Sequence, residues 1–196
     1  MRLPLLHLAH IRNPVNAPKG TELHRVQPIV FASMEASQQQ STKVQVSLLA
    51  TCYPEDEVMV PSYFTLLPFL TRSALDVQGL ETNKKLPFIG DILSALANNT
   101  DAEYLIYTNA DIILQPFFYQ AVANYIEQGH DAIIINRRRI APKYDSPEQL
   151  PQIWAETGSP HPGFDCFVFH RSLLDKFVLG DILIGVPFIE ATLAHN

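Results

Sequence analysis

Asn109 and Asp111 lie two residues apart at the end of an apolar run, Tyr104-Leu105-Ile106-Tyr107, that reads as a strand. On an extended chain, side chains two apart point the same way. A carboxylate at a strand end suits a divalent cation bridging two phosphates, because Mg²⁺ takes oxygen ligands and often only one or two carboxylates. Asn109 adds an amide oxygen beside it. Asn and Asp are also the usual turn and cap residues, and on spacing alone both readings stand.

Two further polar groups follow apolar runs, and a third precedes one. Asn136 and Arg137-Arg138-Arg139 come after Ala132-Ile133-Ile134-Ile135. Guanidinium groups bind phosphate bidentately. Three adjacent arginines on an extended chain cannot all face one ligand, so a single one is expected to; the alternative is a solvated run. Ser33 and Glu35 come after Ile29-Val30-Phe31-Ala32. His161-Pro-Gly-Phe-Asp165 leads into Cys166-Phe-Val-Phe169, where Asp165, Phe167 and Phe169 alternate onto one face. A carboxylate opening an apolar face needs a partner or a ligand. His161 is either a hydrogen-bonded loop residue or a pocket residue.

Several chemistries are absent. There is no G-x-G-x-x-G fingerprint and no G-x-S-x-G elbow. Gly158/Gly163 and Gly180/Gly185 have phosphate-loop spacing, but Phe164 and Val186 stand where lysine is required. Cys52 and Cys166 are far apart in the chain, and His7 and His10 lie near its start, so zinc is not expected. Cys166 reads as a buried strand residue.

The elements that must position these groups are strands at 29–32, 44–49, 75–77, 104–107, 132–135 and 166–169, with helices at 64–70, 86–98 and 172–178. Another helix starts at Gln115-Pro116 and stops at Gly129. Residues 104–135 form a βαβ unit, with 132–135 buried on both faces and parallel to 104–107. Ligands of open α/β sheets sit at the carboxyl ends of strands, so Asn109, Asp111 and Asn136 are expected at one edge. Residues 141–162 read as a long surface loop. Residues 1–27 read as an irregular N-terminal segment and 28–196 as the domain. The whole is expected to be a single-domain, three-layer, Rossmann-like α/β fold with a mostly parallel central sheet.

Composition agrees with one globular domain: 196 residues, 47% hydrophobic and 17% charged. A net charge of −6 disfavours a general nucleic-acid binder. No apolar run approaches the roughly 20 residues of a membrane span. Met1–His10 does not look like a signal peptide, and two cysteines make no disulfide framework, so a cytoplasmic protein is expected.

Tyr104-Leu-Ile-Tyr-Thr-Asn-Ala-Asp111-Ile-Ile resembles the D-x-D region of GT-A glycosyltransferases, in an N-x-D variant. His161 to Phe169 is similar to the G-x-D-x-F-x-F segment of related bacterial and plant glycosyltransferase-like proteins. Ile184-Gly-Val-Pro-Phe-Ile-Glu190 is similar to their later G-x-P-x-x-D segment, with Glu190 in place of the aspartate. The resemblance spans residues 28–190. It implies a GT-A-like domain that moves a sugar from a nucleotide-diphosphate donor to an unknown acceptor. It places Asn109 and Asp111 on the diphosphate and Asp111 on Mn²⁺ or Mg²⁺, with Asp165 facing sugar or acceptor and Glu190 as a candidate base. An inverting reaction needs such a base, for which Asp165 is the other candidate, and a cation or arginine on the leaving diphosphate. Beside the resemblance, Asn136, Arg137, Arg138 and His161 are the residues expected to bind substrate. Asn109 in place of the first aspartate leaves a second implication open, a non-catalytic nucleotide-sugar-binding or interaction module of the same fold.

Overall fold

The computed structural model describes residues 5–185 and 189–195. Its centre is β1 (Leu6–Arg12), which pairs in parallel with β2 (Val44–Ala50) on one side and β4 (Tyr104–Thr108) on the other. The two-residue β3 (Thr65–Leu66) continues the sheet in parallel beyond β2. β6 (Ser159–His170) runs antiparallel to β4, and β5 (Ala132–Arg139) runs antiparallel to β6 at the sheet's edge. The order is β3-β2-β1-β4-β6-β5. Among the described strands β6 alone runs against the rest.

Side chains alternate across this sheet and build two cores. Leu8, Tyr104, Ile106 and Val168 meet Val30 and Met34 of α1 (Glu22–Gln40) and Tyr119 and Val122 of α3 (Phe118–Glu127). Ala9, Ile11, Leu105 and Phe167 meet Ile92 and Leu96 of α2 (Ile89–Asn98) and Leu193 of α5 (Ile189–His195). The result is the expected three-layer α/β domain with a mostly parallel sheet. A short helix, α4 (Leu150–Ala155), lies in the connection from β5 to β6 and packs Leu150 and Ile153 on Ile29.

The N-terminal segment is not irregular. Residues 6–12 are the central strand and 22–40 a helix. The histidines of Leu6-His7-Leu8-Ala9-His10-Ile11 mask a strand because His10 is fully buried and hydrogen-bonded rather than solvated. Residues 29–32 lie inside α1 despite Pro28 and a β-branched run. Burial of Ile29, Val30 and Phe31 overrides local propensity, and Thr21 caps the helix by accepting from the His24 amide. Ser33 and Glu35 therefore end no strand.

Residues 64–70 hold β3 and extended chain rather than a helix, and 74–76 are a 3₁₀ turn rather than a strand. Residues 171–176 are also 3₁₀. The loop expected over 141–162 contains α4 and the start of β6. β5 is half exposed, and β6 lies between it and β4, although β5 keeps the direction of β4. The expected segments at 44–49, 86–98, 104–107 and 166–169 are present, and the helix before Gly129 ends there at a φ of 91°.

Candidate functional site

Thr108 of β4 and Ile135 of β5 both pair with Cys166 of β6. β4 ends at that level and Asn109–Asp111 leave the sheet there, while β5 runs on beside β6 and carries Asn136–Arg138 past the same edge. β6 enters at that same edge and brings His161 and Asp165 to it. The β5–β6 register shifts from Ile135↔Cys166 to Asn136↔Phe164, which leaves Asp165 without a strand partner. Such a bulge re-aims a side chain. Asp165 lines a cavity together with Cys166.

Arg137 joins the cluster. Its Nη1 lies 3.1 Å from Asp111 Oδ2 and 3.1 Å from Asp165 Oδ1. Asn109 Nδ2 donates to the same Asp165 Oδ1 at 2.9 Å, and the Asn109 amide donates to the Asp165 carbonyl. His161 Nδ1 accepts from the Gly163 amide at 3.0 Å and stands 3.7 Å from Asp165 Oδ2. Asp165 is buried and Asp111 is half exposed. Asp165 Oδ2 has no hydrogen-bond partner.

Beneath the cluster lies a buried polar relay that the sequence did not disclose. Arg12, at the end of β1, donates to the carbonyls of Thr108 and Asn109 and to Thr108 Oγ1. The Thr108 hydroxyl shares a 2.9 Å hydrogen bond with His10 Nε2, and His10 Nδ1 shares one of 3.0 Å with the Tyr119 hydroxyl. Burial, reinforced by Arg12, keeps the His10 pKa well below its ordinary value, so the ring is neutral. Burial lowers the Arg12 pKa to about 10, and it stays charged at neutral pH. Arg12 fixes the turn that carries Asn109 and Asp111.

The cavity beside the cluster measures about 800 Å³. It lies between α3, β5 and Trp154 of α4. Its wall at 112–115 is pinned from both sides: the Leu114 amide donates to Ser33 Oγ, and the Trp154 indole donates to the Leu114 carbonyl. Ser33 thus supports the site's wall.

Backbones similar to this one occur in solved structures. The bifunctional IspDF from Campylobacter jejuni has a TM-score of 0.49 and 9% identity, covering 97% of this chain and 47% of that chain. 4-diphosphocytidyl-2C-methyl-D-erythritol synthase from Anaerococcus prevotii has a TM-score of 0.49 and 10% identity, covering 97% and 83%. CMP:2-keto-3-deoxy-manno-octonic acid synthetase complexed with CTP has a TM-score of 0.46 and 12% identity, covering 87% and 76%. This chain spans about half the length of the first of them. No protein-family model and no curated protein matches the sequence.

Of the residues singled out in the sequence, Asn109, Asp111, Arg137, His161 and Asp165 converge. Arg138 lines the same cavity but is held elsewhere: its Nε donates to the Thr157 carbonyl and its Nη2 to the Gly158 carbonyl at 2.8 Å, closing the β5–β6 hairpin. Asn136 Nδ2 donates to the Gly163 carbonyl. Glu190 is in the first turn of α5, and its side chain lies outside the described residues. Asp111 is engaged by Arg137, Asn109 turns its amide nitrogen to Asp165, and no group of three His, Cys, Asp or Glu side chains converges among the described residues. The fixed cation of the cluster is Arg137. Both cysteines are free and buried, and burial pushes the Cys52 thiol up to about 11 and that of Cys166 further. Among the described residues, no helix is long and apolar enough to cross a membrane.

Proposed function

We propose that the carboxyl-edge cluster binds a nucleotide-diphosphate sugar and that the protein is a GT-A-type glycosyltransferase. One observation carries this reading: a single guanidinium nitrogen, Arg137 Nη1, bridges Asp111 and Asp165 where an open α/β sheet receives its ligand. The half-exposed Asp111 pair exchanges readily for diphosphate oxygens, because exposed ion pairs are weak and guanidinium–phosphate pairs are bidentate. In the transfer, the acceptor hydroxyl gives its proton to Asp165. Its oxygen forms the new bond to the anomeric carbon as the bond from that carbon to the diphosphate oxygen breaks. The electron pair leaves with the nucleoside diphosphate, whose charge Arg137 stabilises.

A thermal-shift panel of UDP-, GDP-, CDP-, ADP- and dTDP-sugars tests the reading, each run with Mn²⁺ and with EDTA. A true donor stabilises the fold by about 2.7 kcal/mol at a hundredfold excess over its dissociation constant. The stabilisation should be the same in both metal conditions and should fall in Arg137→Ala. A panel without any shift defeats the proposal. A second reading, a nucleotide-sugar-binding module without catalysis, is favoured by Asn109, which stands at the first D-x-D position and donates to the only buried carboxylate of the cluster. Release of nucleoside diphosphate from the bound donor separates the two.

A further inference from the structure

We infer that the 800 Å³ cavity is an acceptor site for small molecules that join one hydroxyl to an apolar body, an alkyl or aryl alcohol. The word acceptor rests on the donor reading above; the ligand class rests on the cavity itself.

Two independent observations meet there. The first is the lining. Phe118, Ala121 and Tyr125 of α3 face Ile133 and Ile135 of β5, with Trp154 closing one side. The volume is in the range of roughly 300–1,000 Å³ that holds a whole small ligand.

The second is the polar end. Asp111, Arg137 and Asp165 all line the cavity. Asp165 is buried, and its Oδ2 has no hydrogen-bond partner. The nearby His161 Nδ1, at 3.7 Å, already accepts from Gly163. A buried carboxylate oxygen in this state calls for a donor. A carboxylate ligand brings no hydrogen to Asp165 Oδ2, because an ionised carboxylate only accepts. A neutral O–H on an apolar body meets both ends of the cavity, and it delivers its oxygen to the carboxyl edge where the donor's anomeric carbon would stand.

Trp154 is the sole tryptophan of the chain, so its fluorescence reports occupancy directly. The purified protein is titrated with 1-decanol and with 3-phenylpropanol, and with the methyl ether of each. The expected result is a saturable change with at least one alcohol, and affinity roughly tenfold lower for the matching ether, the cost of one lost hydrogen bond to a charged group. The arm that saturates assigns an alkyl or an aryl body. Asp165→Ala should equalise alcohol and ether, and Ala121→Phe should weaken both by narrowing the cavity. The proposal is overturned if no ligand saturates, if ether and alcohol bind alike in the unaltered protein, or if Ala121→Phe changes nothing. It is also overturned if sedimentation shows a dimer whose formation shields Trp154 and excludes both alcohols, since a second copy then fills the site. Calorimetry with nucleotide sugars on the same sample keeps the two readings apart. Alcohol binding without nucleotide binding leaves the cavity assigned and removes glycosyl transfer; the reverse removes the cavity assignment alone.

Discussion

Arg137 and Arg138 are chemically identical neighbours with different tasks, set by the groups each one reaches. Arg137 reaches two carboxylates, whereas Arg138 reaches two carbonyls of the hairpin. Arg137→Ala should therefore weaken nucleotide-sugar binding by about 1.5–3 kcal/mol, the range for a charged hydrogen bond. Arg138→Ala should leave that affinity within about 0.5 kcal/mol and lower the melting temperature instead. Equal effects on affinity would remove Arg137 from the site. His10 gives a second expectation. Its native pKa is depressed by burial and by Arg12, while the unfolded chain titrates near the ordinary histidine value. Below that value the unfolded state binds the extra proton, so this residue's contribution to stability falls as pH drops through about 6.5, with a slope approaching about 1.4 kcal/mol per pH unit. Denaturation of the protein and of His10→Gln between pH 7 and 5 should show the smaller slope in the variant. Asn109 and Asp111 were legible because they end an unmistakable strand. Arg12 and His10 were not, because nothing local distinguishes a buried, hydrogen-bonded histidine from a solvated one.

At the scale of elements, the site depends on the β5–β6 hairpin and its bulge. Gly158, just before β6, has a φ of +61°, and a Cβ there would stand 2.5 Å from the Arg139 carbonyl oxygen. Gly158→Ala should cost on the order of 1–3 kcal/mol, read as a lower denaturant midpoint at unchanged m value. An unchanged midpoint would mean that the hairpin end tolerates the clash. The helix at 89–98 was legible from apolar spacing, and the strand at 104–107 from the run Tyr104-Leu105-Ile106-Tyr107. The strand at 132–139 was legible as a strand but not as an edge. Its four-residue apolar head does not say which strand it will meet, and its partner lies beyond α4 in the chain. The alternation of Asp165 with Phe167 and Phe169 was legible in sequence, and the register shift that leaves Asp165 without a strand partner was not. Bulges leave no such signature.

At the scale of the molecule, the sheet's order decides which residues share an edge. Five strands point one way and bring their carboxyl ends together, and the sixth enters from that end. The general architecture followed from alternating strand and helix patterns. The insertion of β6 between β4 and β5 did not, because it is a long-range pairing with no local cost or reward to reveal it. That insertion also dictates an order of assembly. On a growing chain, β1, β2 and β4 can pair as soon as residue 108 is made, but β5 has no sheet to join until residues 159–170 follow it. Until then the flank of β4, which the finished fold buries along its whole length, is an open template, the kind of edge on which nascent chains associate with one another. In the finished protein the same dependence should persist as a seam. Backbone amides of β5 and β6 should exchange with solvent together, through one shared opening of lower free energy than that of β1, β2 and β4. Exchange from β5 at the rate of β1 would show that the late-joining pair is bound into the sheet as firmly as its centre.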